Sequence, residues 1–222
     1  MTLPKLILPF VLVATLPSAL FAADEGTNLF KDAKYDDFYF SFIEDDDPKE
    51  VFVIGSDGSL IVKGKDHSEG YLQTLDEYAN YELHFEWRWL DSKPGDSGVM
   101  IHCDADPYKS IWPHGIEIQI AEDTTGDLWL MGNKATVDDE RIPEKSAERD
   151  RRKRIEGLDA GKEKKTGAWN EMRIVAKDDT LKVYLNDKLI NEATELKPAS
   201  GYITIKAEES NVEFRDFRIK EF

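Results

Sequence analysis

The sequence has little cysteine and no surplus of positive charge. Its 222 residues include one cysteine, Cys103, so an intramolecular disulfide is impossible, and no cysteines and histidines stand at zinc-binding spacing. The 29 basic residues are outnumbered by 45 acidic ones, which gives a formal net charge of −16. Nucleic-acid backbones and anionic membrane surfaces both attract clustered lysine and arginine. The composition therefore argues against nucleic acid as a partner and against binding at an anionic membrane.

Long apolar runs are missing everywhere except at the N-terminus. There, Lys5 precedes an apolar run from Leu6 to Leu16, and small residues follow before the acidic Asp24. This order is typical of a secretory signal, and the run is shorter than the roughly 20 apolar residues that a membrane span needs. We expect residues 1–22 to be a signal peptide, with no stable membrane insertion after its removal. The expected location is periplasmic or secreted.

Helical periodicity is also nearly absent from the rest of the chain, where apolar residues recur with a period of two. The clearest segment is 81–89, in which Tyr81, Leu83, Phe85, Trp87 and Trp89 share one face. Further strands are predicted at 51–54, 59–63, 70–74, 97–103, 115–121, 127–131, 169–177, 180–186, 201–207 and 211–220. This number of short strands predicts one all-β domain over 23–222, an antiparallel β-sandwich.

One segment, 138–165, differs sharply in composition from its surroundings. It holds nine acidic and ten basic residues. A polyanion-binding patch is one interpretation of the basic cluster at 149–154, and a solvated loop or exposed helix with balanced charges is the other. We expect the second, as an insertion between strands of a single domain.

The segment 115–121 places polar side chains opposite a row of isoleucines. Ile116, Ile118 and Ile120 are expected to face the core, which puts Glu117 and Gln119 together on the other face. Trp112 and His114 precede this strand, and Asp127 and Trp129 follow it closely. Aromatic rings beside carboxylate and amide groups suit a sugar, because rings stack on its C–H faces and polar groups bind its hydroxyls.

Other polar side chains alternate with core residues on neighbouring predicted strands. They are His84, Glu86 and Arg88 in one strand and His102 in the next. Each alone is typical of an exposed strand position. In a curved sheet they would converge on the face of Glu117 and Gln119.

A short motif in the same strand is similar to the catalytic strand E-x-D-x-x-E of laminarinase-type glycoside hydrolases. Here the first and last acids are Glu117 and Glu122, and Gln119 replaces the middle one. Retaining hydrolysis needs two carboxyl groups about 5–5.5 Å apart. Glu122 shares a face with Glu117 only if a β-bulge intervenes, so conventional retaining hydrolysis is disfavoured.

Nine segments in order resemble the 3-keto-disaccharide hydrolase domain family of secreted bacterial proteins. They are Asp57-Gly-Ser-Leu, Gly70-Tyr-Leu-Gln-Thr, Tyr81-Glu-Leu-His-Phe-Glu-Trp-Arg-Trp, Gly95-Asp-Ser-Gly-Val, Ile111-Trp-Pro-His-Gly-Ile-Glu-Ile-Gln, Gly126-Asp-Leu-Trp-Leu-Met-Gly, Gly167-Ala-Trp-Asn, Val183-Tyr-Leu-Asn-Asp and Val212-Glu-Phe-Arg-Asp-Phe-Arg-Ile. The resemblance implies a concanavalin A-like jelly roll of two antiparallel sheets. The charged segment 138–165 departs from the family pattern.

The resemblance also implies cleavage of glycosides oxidised at C3, by β-elimination or net hydrolysis. On that basis Glu117 is expected to be the base, and His102 or His114 the acid that protonates the leaving group. Arg88 or a divalent cation would stabilise the enolate. The residues expected to position the saccharide are Gln119, Trp112, Asp127, Trp129, Glu86 and His84.

Two other classes of function stay open. One is a non-catalytic carbohydrate-binding module on the same fold, and the other is an interaction protein with a solubilising acidic surface. Asp45, Asp46 and Asp47 offer a calcium ligand set, although a solvated turn before Pro48 is the expected interpretation. Cys103 is expected to be buried and inert.

Overall fold

The computed structural model describes residues 26–105, 111–143, 152–158 and 163–222, and within them almost all regular structure is β. The strands are β1 Thr27–Asn28, β2 Phe38–Phe42, β3 Phe52–Ile54, β4 Leu60–Lys63, β5 Gly70–Thr74, β6 Tyr81–Trp89, β7 Asp96–Cys103, β8 Gly115–Ala121, β9 Leu128–Met131, β10 Lys134–Thr136, β11 Arg152–Ile155, β12 Asn170–Lys177, β13 Thr180–Leu185, β14 Lys188–Lys197, β15 Tyr202–Ala207 and β16 Asn211–Glu221. One short α-helix, α1, spans Pro48–Val51, and 3-10 turns span Tyr35–Asp37 and Asp139–Arg141.

The strands form two antiparallel sheets. The nine-stranded sheet runs in the order β10-β14-β13-β12-β6-β16-β4-β3, with β1 added beside β16. The seven-stranded sheet runs β11-β9-β8-β7-β15-β5-β2. Their inner faces share one hydrophobic core, in which Leu83 and Phe85 of the first sheet lie with Val99 and Ile118 of the second. The predicted jelly-roll sandwich of two antiparallel sheets is confirmed.

Alternation along each strand decides which side chains reach this core. In β6 every second residue from Tyr81 to Trp89 is fully or almost fully buried, as the sequence predicts. In β8 the three isoleucines Ile116, Ile118 and Ile120 are completely buried in the same core. Burying such side chains contributes about 2 kcal/mol each, so this alternation fixes which face of each strand points inward.

Two parts of the chain for which the sequence predicts no strand contain regular structure. The segment between residues 38 and 51 supplies β2 and α1, and the Asp47 carboxylate caps α1 at the Lys49 amide. Within 138–165, Arg152–Ile155 form β11, an edge strand paired with β9. The expectation of a loop or exposed helix is therefore wrong for these four residues, because Ile155 is buried in the core and draws the segment into the sheet.

The N-terminal segment lies outside the described residues. Residues 1–22, the expected signal peptide, fall outside the described residues, so the signal and the periplasmic or secreted location stay predictions. Among the described residues, no helix has the length and apolar character to cross a membrane.

Candidate active site

The outer face of the seven-stranded sheet carries the polar residues that the sequence singled out in β8. Glu117 and Gln119 project there, opposite the buried isoleucines. On either side of Glu117 in the ladder stand Met100 of β7 and Trp129 of β9. We call this surface the outer face of the seven-stranded sheet, and all residues of the candidate site lie on it.

An ion pair spans this face across an intervening strand. The Nζ atom of Lys206 in β15 donates to Oε1 of Glu117 in β8 at 2.5 Å, although β7 runs between the two strands. The pair passes over Gly98, where a Cβ atom would stand 2.6 Å from Oε1 of Glu117. Glycine is therefore required here because any side chain would occupy the space of the ion pair.

Both partners of this pair are almost completely removed from solvent. Glu117 is 2% exposed and Lys206 is 3% exposed. Lys206 also lies 2.8 Å from Oε2 of Glu208, and its ammonium stands 4.4 Å from the centre of the Trp112 ring. Burial opposes the charge on Lys206, but Glu117 and Glu208 outweigh it and hold the lysine pKa above its usual value. The group is thus a permanently charged ammonium in a site of low dielectric constant.

A titratable carboxyl stands at the border of this cluster. Asp96 accepts a 2.6 Å hydrogen bond from the Gln119 amide, and the side chain of Gln119 is thereby fixed. Burial raises the pKa of Asp96 to about 6, and the nearby charge of Glu208 adds to the shift. Asp96 is therefore partly protonated near neutral pH, where it can either donate or accept a proton.

The polar cluster borders an apolar patch on the same face. Its members are Tyr71, Met100, Cys103, Trp112 and Met131, with Ile111, Trp129 and Tyr202 packed against them. A patch of rings beside charged groups is the surface that binding a sugar requires. Burial raises the pKa of the Cys103 thiol to about 12, which agrees with the predicted inert cysteine.

His102 does not join this face. Its backbone has φ of 51°, and the pairing of β7 with β15 shifts register at this point, so the bulge turns His102 away from the side that alternation assigns. The ring is 0% exposed and meets Tyr81 of the core edge-on at 6.1 Å. Burial lowers the pKa of His102 to about 4. The predicted convergence of His102 with Glu117 is wrong, since the bulge places Cys103 on the outer face instead.

His84, Glu86 and Arg88 are also separated from Glu117. They belong to β6, which lies in the nine-stranded sheet, and they face outward on the opposite side of the sandwich. The predicted convergence is wrong for these residues because alternation gives the face of a strand but not the sheet that contains it.

The three side chains take part in charge pairs of their own. His84 lies 3.2 Å from a Glu171 oxygen, and Glu86 accepts from Nε of Arg215 at 2.6 Å. Arg88 pairs with Glu213 at 2.6 Å. All three residues therefore take part in ion pairs on the outer face of the nine-stranded sheet.

The two tryptophans expected to stack on a sugar, Trp112 and Trp129, differ in their exposure. Trp112 is 4% exposed and packs against Lys206 and Tyr71, so the expected direct stacking of this ring on a sugar is wrong for this residue. Trp129 is only partly buried and remains the accessible ring of the pair.

Asp127 is held by the edge strand β11. Its carboxylate accepts from Nε of Arg154 at 2.7 Å and from the Gly157 amide at 2.9 Å. Burial raises the pKa of Asp127, and the Arg154 pair opposes this shift. Asp127 therefore anchors β11 and the chain that follows it beside β9.

His114 and Glu122 lie at the two ends of β8. Nδ1 of His114 pairs with Asp104 at 2.9 Å, and its ring lies beside Gly132 at the end of β9. Glu122 is exposed in the turn after β8.

In ranges 26–105, 111–143, 152–158 and 163–222, no three histidine, cysteine or acidic side chains are grouped to hold a metal ion. Asp46 of the aspartate run instead pairs with His67 and Ser68. A divalent cation as enolate stabiliser stays a prediction.

Three residues of the cluster were missed by sequence analysis, namely Asp96, Lys206 and Glu208. In β15 Ile203, Ile205 and Ala207 are core residues, so the same alternation argument that identified Glu117 also places Lys206 on the outer face. The signal was present in the strand itself. Only the sheet order, with β7 between β8 and β15, brings Lys206 to Glu117.

Comparison with known proteins gives one family and several similar folds. The 3-keto-alpha-glucoside-1,2-lyase-like domain matches residues 25–220 of this chain. No curated protein matches the chain in sequence.

Three solved structures illustrate the similarity of fold. A provisionally assigned glycosyl hydrolase of Parabacteroides distasonis has 22% identity and a TM-score of 0.58, covering 84% of this chain and 94% of its own. A second one from the same organism has 18% identity and a TM-score of 0.60, covering 89% and 94%. The carbohydrate-binding module CBM66 of Bacillus subtilis has 11% identity and a TM-score of 0.56, covering 82% and 95%. At these identities the structures show a shared fold.

Proposed function

This chain belongs to the 3-keto-alpha-glucoside-1,2-lyase-like domain family, and we propose that it cleaves 3-keto-glycosides on the outer face of its seven-stranded sheet. The observation that carries the proposal is the ion pair of Glu117 and Lys206, both of them almost fully buried. Removing two charges from water costs several kcal/mol each, and hydrophobic residues would stabilise the fold at least as well. Perturbed charges of this kind cluster at sites of chemistry.

The chemistry of the substrate defines which groups are needed. A ketone at C3 of the sugar acidifies the hydrogen on C2, so a base can remove it and leave an enolate. The electron pair of the enolate then forms the C1–C2 double bond and expels the C1 oxygen with its own pair. That oxygen takes up a proton, and addition of water across the double bond completes net hydrolysis. The site therefore needs a base, a positive charge near the C3 oxygen and a proton donor.

Three residues of the cluster meet these needs. Glu117 is the base, through the oxygen that Lys206 does not occupy. The Lys206 ammonium stabilises the negative charge on the C3 oxygen, which is the role that sequence analysis gave to Arg88. Asp96, with its pKa of about 6, supplies the proton to the leaving oxygen, and Gln119 keeps its carboxyl in place.

Binding of the sugar is assigned to the apolar patch beside these groups. Trp129 is the partly buried ring next to Glu117 in the ladder, and it stacks on a C–H face of the sugar. Trp112 acts indirectly, because its ring covers the Lys206 ammonium and keeps water from it.

The proposal is tested by incubating residues 23–222 with α- and β-linked 3-keto-glycosides and with their unoxidised parents. Products are followed by mass spectrometry, with and without EDTA. Cleavage confined to the keto substrates is expected, with E117Q inactive and R88L active. Cleavage of the unoxidised parents would contradict elimination and would return attention to Glu117 and Glu122 as a retaining pair. Loss of turnover with EDTA would add a metal ion to the scheme.

A second candidate function is a carbohydrate-binding module without catalysis. It is favoured by the accessible Trp129 ring above the apolar patch, and CBM66 of Bacillus subtilis shares the fold. Sugar binding that is lost in Trp129→Ala, with no turnover of any keto-glycoside, would select this function. Failure to bind any glycan would instead favour an interaction protein.

A further inference from the structure

A basic pocket lies at one edge of the sandwich, apart from the cluster of Glu117 and Lys206. It has a volume of about 340 Å³ and is lined by Lys134 and Thr136 of β10, Lys197 of β14, and Lys153 of β11. The two sheets contribute to it from opposite sides, since β10 and β14 belong to the nine-stranded sheet and β11 to the other. We call this cavity the edge pocket.

Two of its lysines stand directly opposite each other. Lys134 and Lys197 are Cα partners in the antiparallel pairing of β10 and β14. Like charges in directly opposed positions destabilise a sheet. Lys153 brings a third positive charge to the same cavity, so the arrangement is unfavourable unless something negative lies between them.

The described residues supply less negative than positive charge to the edge pocket. Within the described residues, no carboxylate forms an ion pair with Lys134, Lys153 or Lys197. Of the described residues that line the cavity, Glu195 carries a carboxylate, which accepts from the Thr136 hydroxyl at 2.6 Å. Among the described lining residues, three lysines thus stand against one carboxylate, in a chain with a net charge of −16. The local excess of positive charge is therefore a property of the pocket and not of the surface as a whole.

We propose that the edge pocket binds an oxyanion, a carboxylate or sulfate, carried by a ligand of about monosaccharide size. The three ammonium groups hold the oxyanion through charge-assisted hydrogen bonds. The Asn133 and Thr136 side chains and the apolar Ala135 and Leu130 line the rest of the cavity, as a sugar ring requires. The acidic remainder of the surface repels long polyanions, which restricts the ligand to a small one.

The test uses isothermal titration calorimetry at low salt with four probes: glucuronate, glucose 6-sulfate, neutral glucose and inorganic sulfate. The two anionic sugars are expected to bind, and glucose is expected to bind at least about tenfold more weakly. Inorganic sulfate that binds as tightly as both anionic sugars would overturn the assignment of a sugar-sized ligand. Absence of binding by both anionic sugars would overturn the proposal entirely.

The site is located with the double variant Lys134→Gln and Lys197→Gln. Its expected effect is a loss of affinity for both anionic sugars of about tenfold or more. The matched control is Lys177→Gln with Lys182→Gln, which removes two exposed lysines from the same sheet without touching the pocket. An equal loss of affinity in the control variant would mean that the net charge of the protein, and not the edge pocket, sets the affinity. That result would overturn the assignment of the site.

The melting temperature without ligand shows whether each pocket variant is folded. It also tests the repulsion between Lys134 and Lys197 directly. Replacing Lys197 by Glu turns a repulsive pair into an attractive one, so the melting temperature should rise while binding of glucuronate is lost. A fall in melting temperature would contradict the repulsion on which the proposal stands. E117Q is expected to bind glucuronate like the unaltered protein, which separates this site from the proposed catalytic one.

Discussion

Lys206 reaches Glu117 by crossing a complete β-strand. The two residues belong to β15 and β8, their charged atoms are 2.5 Å apart, and the backbone of β7 passes beneath them at Gly98. The ion pair thus depends on three strands at once. The proposed catalytic role of the pair therefore depends on the register of β8, β7 and β15. Mutations at the pair should change both activity and stability.

Replacing Lys206 by methionine should both destabilise the fold and abolish turnover of 3-keto-glycosides. The change leaves the Glu117 carboxylate buried without its partner, which costs about 3–5 kcal/mol. Urea unfolding measures the stability, and mass spectrometry of the products measures turnover.

The double variant E117Q with K206M provides the control for that change. It no longer buries the Glu117 charge without a partner, while Glu208 loses Lys206 in both variants, so the double variant should be more stable than K206M alone while remaining inactive. A double variant that is less stable than K206M would contradict the buried pair as described.

Asp96→Asn should change how stability and activity depend on pH. Because the native pKa of Asp96 is about 6 and its ordinary value is 3.8, the folded state holds more protons than the unfolded chain between these values. Its contribution to stability is therefore full below pH 3.8 and is lost as pH rises through about 6. His102, with its pKa lowered to about 4, acts in the opposite direction, since its contribution is lost as pH falls from 6.5 through 4.

Urea unfolding between pH 4 and 7 measures this difference. D96N should lose less stability than the unaltered protein as pH rises from 4 to 7. Its turnover should also lack the change near pH 6 that the proton donor imposes. Identical profiles for the two proteins would remove Asp96 from the proposed mechanism.

Gly98→Ala should weaken activity more than its size suggests. The new Cβ atom would stand 2.6 Å from Oε1 of Glu117, so the carboxylate must shift away from Lys206. We expect a destabilisation of about 1–3 kcal/mol and a clear loss of turnover. A variant as active as the unaltered protein would mean that the ion pair tolerates displacement and is not needed in this geometry.

Arg88→Leu should leave turnover unchanged. Arg88 pairs with Glu213 and stacks on Trp169, on the outer face of the other sheet. Loss of this partly exposed pair should cost about 1 kcal/mol in the free energy of unfolding. A strong loss of activity would contradict the placement of the active site and would favour the enolate-stabilising role that the sequence suggested.

The sequence predicts this fold well because the core rests on local alternation. The isoleucines of β8 and the aromatic residues of β6 are separated by one residue each, and that spacing alone determines their face. It also predicts correctly that Glu117 and Gln119 share a face.

Sheet membership and irregular backbone are not encoded so locally. His84 and Glu117 have the same pattern of neighbours, yet they lie on opposite sides of the sandwich because β6 and β8 belong to different sheets. At His102 a bulge exchanges the faces of two consecutive residues, and nothing in the surrounding residues marks its position. The partnership of Lys206 with Glu117 required the order of three strands, which no single segment contains.

The basic strand β11 has a consequence for how copies of this protein meet. Among the described strands it is the last on its side of the seven-stranded sheet, and the edge strand of a sheet is where another chain can pair. Arg152, Lys153 and Arg154 occupy three of its four positions. A second copy that paired along this edge would bring the same three cations into opposition, which makes sheet extension unfavourable. The three cations of β11 thereby disfavour aggregation of the domain along this edge.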